Sequence, residues 1–233
     1  MLPTITTVEV QEQAPRVAIL PVGSYEQHGA HLPLITDTAI ACIITRELAT
    51  AHPVLPLSPI SIACSHEHGT WPGTVSISAR TLHAVITDIA QSLETSGIRK
   101  LVLVNAHGGN YVLSNIVQEA NVTEARMGLF PQSHEWKRAR QHAGLVSSSY
   151  DDMHAGEIET SILLHADPSL VRPGYETADH DGGERPFLLT QGMKAYTKTG
   201  VIGFPSYATA EKGKAVLASL VESFAEHLQA LGE

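Results

Sequence analysis

Apolar residues fall in short blocks separated by glycine- and proline-bearing polar turns, and the blocks follow two different periods. Val17-Ala18-Ile19-Leu20 and Leu101-Val102-Leu103-Val104 are unbroken apolar runs. Such runs predict strands buried on both faces of a parallel sheet, over 16–22 and 100–104. A similar short strand is expected over 126–131. Residues 54–60 are apolar but carry Pro56 and Pro59, so they predict an edge or irregular strand. Residues 74–78 alternate and predict one more short strand. Between these lie helical patterns. Ile40, Ile43, Ile44 and Leu48 mark a helix over 38–52 that Pro53 stops. Leu82, Val85, Ile86, Ile89 and Leu93 mark an amphipathic helix over 79–95, closed by Gly97. Further helices are expected over 111–122, from about 157, and over 208–231, with a short first helix within 1–15. Residues 133–143 predict a polar helix or lid, 147–152 a flexible linker, and 167–208 a long irregular region of the functional kind. Strand alternating with helix along 233 residues, with no internal repeat, predicts one α/β domain spanning 1–233.

The polar residues that interrupt this pattern are clustered. The first cluster leaves the first strand as Glu26-Gln27-His28-Gly29-Ala30-His31, with Asp37 soon after. Glu26 and His28 are two apart, so an extended segment points them to one side. A carboxylate beside an imidazole at a strand exit is how a divalent-metal site begins. A solvated loop with the same residues is the plain alternative. The second cluster is Ser65-His66-Glu67-His68-Gly69. It reads as substrate contact or pocket wall, or as a polar surface turn, since no spacing there compels a metal. The third, Asn105-Ala106-His107-Gly108-Gly109-Asn110, ends a central strand and opens a helix. Ligands bind at that end of open α/β sheets, and the glycines let backbone approach a ligand. A turn histidine capping the helix is the other reading of His107. The fourth is Asp151-Asp152-Met153-His154-Ala155-Gly156-Glu157-Ile158-Glu159. His154 and Glu157 share a face if the helix has already begun, whereas Glu157 and Glu159 diverge on it. Acids in a first helical turn are also favoured by the helix dipole alone.

Composition narrows the chemistry. The chain is 43% hydrophobic and 17% charged, with a net charge of −9, so a packed acidic globule is expected and nucleic acid is not a partner. No apolar run is long enough for a membrane span, and the start lacks a signal-peptide pattern. Cys42 and Cys64 sit in apolar segments, as reduced core thiols of a cytoplasmic protein do. Thirteen histidines are many for this length, and several adjoin acids.

Glu26, His28, Asp37, His107 and Glu157 together suit two divalent ions, with one carboxylate shared. A nitrogen–oxygen set without thiolate points to zinc, manganese or iron. Such a pair lowers the pKa of a shared water and steadies the oxyanion formed at a carbonyl. His154 is then placed to protonate a leaving nitrogen, with Glu159 beside it. The signatures of serine hydrolases, P-loop nucleotidases and dinucleotide oxidoreductases are absent from the sequence.

The runs 21–38, 105–110 and 154–161 together resemble the creatininase (creatinine amidohydrolase) family, and the likeness extends to Ala208-Thr209-Ala210-Glu211-Lys212-Gly213. The resemblance implies a three-layer α/β/α domain with a mostly parallel sheet, a homo-oligomer (a hexamer built as a trimer of dimers), and a dinuclear centre that hydrolyses a C–N amide bond. It implies that Glu26 and His107 hold one ion and His28 the other, with Asp37 bridging, and that His154 and Glu159 are catalytic. Creatininase proper takes a glutamate for the second ion from the position of Gly109. Glu157 is expected to replace it, which moves the substrate away from creatinine. The Ala-His-Gly-Gly-Asn pattern resembles the branches of formamide deformylases and mycofactocin-precursor peptidases more closely. The expected reaction is hydrolysis of a small amide, cyclic amide or formamide. The alternatives are trimming of a short precursor peptide, and a family member that binds metal or ligand without catalysis.

Overall fold

A computed structural model describes residues 2–233. Helix α1 (Thr7–Gln13) precedes strand β1 (Val17–Val22), helix α2 (Thr36–Ala51) and strand β2 (Val54–Pro56). Helix α3 (Ala79–Thr95), strand β3 (Lys100–Asn105), helix α4 (Val112–Ala120), strand β4 (Met127–Phe130) and helix α5 (Ser133–His142) follow. Helices α6 (Glu157–Ala166), α7 (Leu188–Gln191) and α8 (Ala210–Ala230) complete the chain. The four strands form one parallel sheet in the order β2-β1-β3-β4, with Val17 opposite Lys100 and Val22 opposite Asn105.

Alternate residues of each strand feed two cores, because successive side chains point to opposite faces. Val17, Ile19, Val102 and Val104 pack with Ile40, Ile44, Ile162, Leu220 and Phe224, beneath α2, α6 and α8. Ala18, Leu20, Leu101 and Leu103 pack with Leu82, Ile86, Leu113 and Ile116, beneath α3 and α4. Both sheet faces are therefore covered, and the architecture is the expected three-layer α/β/α arrangement.

Two expectations, at 74–78 and 147–152, need correction. Residues 74–78 form no strand; Val75 makes an isolated bridge to Tyr25, and the Ile77 amide donates to the Ala63 carbonyl at 2.9 Å. The apolar run 54–60 is the edge strand expected, pairing continuously as far as Pro56, with Ile60 in an isolated bridge to Val22. The interruption follows from the prolines, which cannot donate to a ladder. The segment 147–152 is not a loose linker: Glu157 accepts the Ser147 amide, and Arg140 binds the Asp152 carboxylate at 2.9 Å.

Candidate metal centre

β1 and β3 are neighbours, yet the chain leaves β1 toward β2 and leaves β3 toward β4. Their carboxyl ends form the topological switch point of the sheet, where the two exit loops part and leave a crevice. The β1 exit carries Glu26 and His28, and the β3 exit carries His107. The loops are tied together by Asn110. Its Nδ2 donates to the Gly23 carbonyl at 3.1 Å, and its Oδ1 accepts the Cys64 amide at 3.1 Å. Gly23 is required where it stands, because a Cβ there would collide with the backbone of Thr38. That close approach brings the first turn of α2, and with it Asp37, over the strand end. A carboxylate in that turn is favoured by the helix dipole.

The side chains converge. Asp37 Oδ1 lies 3.0 Å from His28 Nε2, and Asp37 Oδ2 lies 3.0 Å from His107 Nδ1. Ser24 Oγ donates to Asp37 Oδ2 at 2.6 Å. Glu26 Oε2 stands 3.2 Å from His107 Nε2, and Glu26 Oε1 stands 3.3 Å from His68 Nε2. One donor atom each from Glu26, His28 and Asp37 lies within 4.8 Å of the other two, and so do donor atoms of Glu26, Glu67 and His107. Glu26 is wholly buried, and neither of its carboxylate oxygens has a hydrogen-bond partner among the described residues. A buried carboxylate left in that condition costs several kcal/mol unless a cation or donor meets it. The nitrogen–oxygen donor set is the kind that meets zinc, manganese or iron.

The electrostatics agree. Burial lifts the Glu26 carboxyl to about 8. Burial also opposes ionisation of Asp37, but His28 and His107 outweigh it and hold that carboxyl well below its usual range. In turn His28 rises to about 9 despite burial, through Asp37, and His107 rises well above its usual range through Glu26 and Asp37. The centre of the cluster thus draws positive charge. Its rim does not: burial pushes His68 down to about 3 and His154 well below the ordinary histidine value.

His154 sits where the fourth cluster enters the crevice. Its Nε2–H donates to the Gln27 carbonyl at 2.6 Å, which leaves Nδ1 facing Glu26 Oε1 at 3.8 Å. Gln27 Nε2 in turn donates to the Gly200 carbonyl at 3.0 Å and to His68 Nδ1 at 2.9 Å. Ala155 next door holds a φ of 55°. A left-handed residue other than glycine costs roughly 1–2 kcal/mol, so the turn is held by its surroundings. Glu159 supplies part of that hold: its Oε2 accepts the Ala155 amide at 2.6 Å and stands 3.9 Å from His28 Nε2. Burial raises the Glu159 carboxyl to about 7.

Six of the seven residues expected in the site meet there: Glu26, His28, Asp37, His107, His154 and Glu159. Glu157 does not. It opens α6, so His154 precedes the helix and the two share no face. The Glu157 carboxylate turns to Lys212 Nζ at 2.6 Å, to the Val146 and Ser147 amides, and to the Ser147 hydroxyl. Those partners outweigh its burial and hold it below the usual carboxylate range. In its place the structure brings Glu67 and His68, from a 3-10 turn at His66–His68. The His-Glu-His triplet was visible in the sequence, but no spacing tied it to loops so distant in the chain.

The crevice above these groups is a cleft of about 120 Å³ lined by Glu67, His107, Tyr111, Met153, Leu188 and Met193 among others. A larger cleft of about 940 Å³ lies at the opposite, amino-terminal ends of the strands, beside Arg16, Lys100 and Arg126. Its lining contains no histidine and one strand-end lysine, so the chemistry is not there.

Comparison with known proteins decides the family. The family model described as creatininase, creatinine amidohydrolase, matches residues 3–228. The chain belongs to the creatininase family. Within it, the chain is 33% identical over 234 residues to a mycofactocin precursor peptide peptidase of Mycobacterium ulcerans (strain Agy99), covering 95% of this chain and 87% of that one. It is 25% identical to the creatinine amidohydrolase of Pseudomonas putida, covering 91% and 88% respectively. A solved manganese-form creatininase superposes with a TM-score of 0.82 at 23% identity, over 97% of this chain and 96% of that one. The protein is thus a metal-binding amidohydrolase of this family, a hydrolase of carbon–nitrogen bonds. Among the described residues no helix is long and apolar enough to cross a membrane.

Proposed function

We propose that this creatininase-family enzyme holds two divalent ions, zinc, manganese or iron, between Glu26, His28, Asp37 and His107, and hydrolyses the C–N bond of a small amide, cyclic amide or formamide. The observation that carries the reading is the pair of buried Glu26 oxygens, without a hydrogen bond among the described residues, facing His107 and His68, with Asp37 on the other flank of His107. When bound, such ions would lower the pKa of a water and stabilise negative charge on the carbonyl oxygen.

The chain's own groups do the rest. Asp37 offers one oxygen toward His28 and the other toward His107, which suits a carboxylate shared between two positions. His154 is held neutral by burial, with its proton on Nε2 against the Gln27 carbonyl. Its Nδ1 is therefore free to take a proton and hand it to the leaving nitrogen. Glu159 fixes the strained Ala155 turn and so aims His154. Met153, Leu188 and Met193 line the cleft with apolar surface and limit water.

The cleft's size supports a small substrate. At about 120 Å³ it is well below the roughly 300–1,000 Å³ of drug-sized ligand sites. One observation favours a second reading, cleavage of a precursor peptide: the 33% identity to mycofactocin precursor peptide peptidases. Incubation of metal-loaded protein with a panel of amides, formamides and a short precursor peptide, read by mass spectrometry, separates the two. Turnover of a small amide with the peptide intact supports the first reading. A shortened peptide supports the second, and turnover that persists in protein shown to be metal-free refutes both. The homo-oligomer, a hexamer as trimer of dimers, and a cytoplasmic location belong to the same proposal.

A further inference from the structure

We propose that Glu67 is a metal ligand, and that residue 109 is glycine to give its carboxylate room beside His107. The inference rests on the dinuclear reading and adds a donor to it. Glu67 lies in the short turn at His66–His68, far in sequence from both strand exits. Its Oε1 nevertheless stands 3.4 Å from His107 Nε2, the nitrogen that Glu26 Oε2 approaches to 3.2 Å from another side. Two carboxylates from separate loops thus share one imidazole nitrogen, with donor atoms of all three within 4.8 Å. On its other side His107 Nδ1 faces Asp37 Oδ2, and its Nε2 also lies 2.8 Å from the Cys64 carbonyl.

Two further observations point to a ligand between these groups. The Glu26 oxygens are fully buried and make no hydrogen bond among the described residues, with His107 and His68 nitrogens at 3.2 and 3.3 Å, so Glu67 adds a second carboxylate beside a first that is already poorly satisfied. Carboxylates crowd together in that way around a cation, and repel each other without one. The second observation is steric. A Cβ built on Gly109 would overlap Glu67 Oε1 and His107 Nε2, whereas one built on Gly108 meets nothing within 4 Å. The backbone at 109 is not in the left-handed region, so its conformation does not demand glycine. The space does. The seat is closed from the other side as well, where Gly192 brings the α7 end to within contact of the Glu67 backbone.

The test compares Glu67→Gln and Gly109→Ala with Gly108→Ala. Each protein is stripped of metal, checked by circular dichroism, and titrated with zinc or manganese against a chromogenic chelator. The expected result is a loss of about 10–100-fold in affinity for one of two ions in E67Q and G109A, the range typical of disturbed metal-site partners, and wild-type binding in G108A. The G109A protein keeps Glu67 intact, so loss there reports displacement of the carboxylate rather than its removal. Wild-type affinity for both ions in folded E67Q and G109A would overturn the assignment while leaving the dinuclear reading in place. A wild-type protein that takes up no ion would overturn both.

Discussion

Asp37 Oδ2 and His107 Nδ1 are 3.0 Å apart, although one residue opens α2 and the other follows β3. The contact joins the two exit loops of the sheet's switch point through a single carboxylate, whose remaining oxygen reaches His28 at 3.0 Å. Removing that carboxylate while keeping its shape should therefore damage both halves of the centre. Asp37→Asn is expected to lower metal affinity by at least the roughly 10–100-fold seen when partners of metal ligands are changed, and to do so for both ions. Equilibrium dialysis with elemental analysis reads this directly. Two tightly held ions in the variant would remove Asp37 from its shared position.

Metal uptake should expel protons at neutral pH. Ligands must be deprotonated to bind, and in the metal-free fold Glu26 titrates at about 8, His28 at about 9, and His107 well above its usual value. Each raised value means that protons compete with metal below it. Affinity should accordingly climb as pH rises through 7 to about 9. Calorimetry in buffers of different ionisation enthalpy should show more than one proton released per chain at pH 7. Uptake without proton release would contradict the buried, charged imidazoles described above.

His154 is assigned to proton transfer rather than to holding metal. His154→Ala should lower kcat by about 10²–10⁴-fold, the usual worth of a positioned acid–base group. Its metal content should match the wild type, because its Nε2 is committed to the Gln27 carbonyl and its Nδ1 stands 3.8 Å from Glu26. A variant with wild-type turnover, or with intact turnover per bound ion and less metal, would reassign the residue.

Glu157 should behave as a structural residue. Glu157→Gln is expected to keep both ions yet lose about 2–4 kcal/mol of stability, because it leaves Lys212 without its buried partner. The sign with pH follows from the depressed carboxyl. Its contribution is complete above the ordinary value of 4.5 and fades as pH falls through the lower folded value. The gap in denaturant midpoint between wild type and variant should therefore narrow in acid. A gap independent of pH would mean the carboxylate's charge contributes nothing there.

The fold was almost wholly legible in the residues. Continuous apolar runs at 17–22 and 101–104 gave away a sheet covered on both faces, and the 79–95 periodicity matched helix α3 end to end. What failed was local pairing at 74–78, where alternation was present but the contacts made, Val75 to Tyr25 and Ile77 to Ala63, reach two separate loops and build no ladder. The convergence of side chains was legible where strand ends brought them out, as at Glu26, His28 and His107. Glu157 misled because its helix position was right but its rotation about α6 could not be known. Its partner Lys212 lies 55 residues on, at the start of α8. Glu67 was read only as substrate contact, pocket wall or surface turn, for the converse reason. Its turn carries no periodic signal, and only the empty side of Gly109 shows where its carboxylate goes.

The central claim is that acids and imidazoles from the β1 and β3 exits and from α2 enclose two cations. Anomalous diffraction at the zinc and manganese edges, from crystals grown with each metal, tests it most directly. The account predicts two peaks about 3.5–4 Å apart, flanked by Glu26, His28, Asp37 and His107. Peaks found instead at His134, Glu135 and His227, where a second group of donors meets, or no peak between the strand exits, would contradict it.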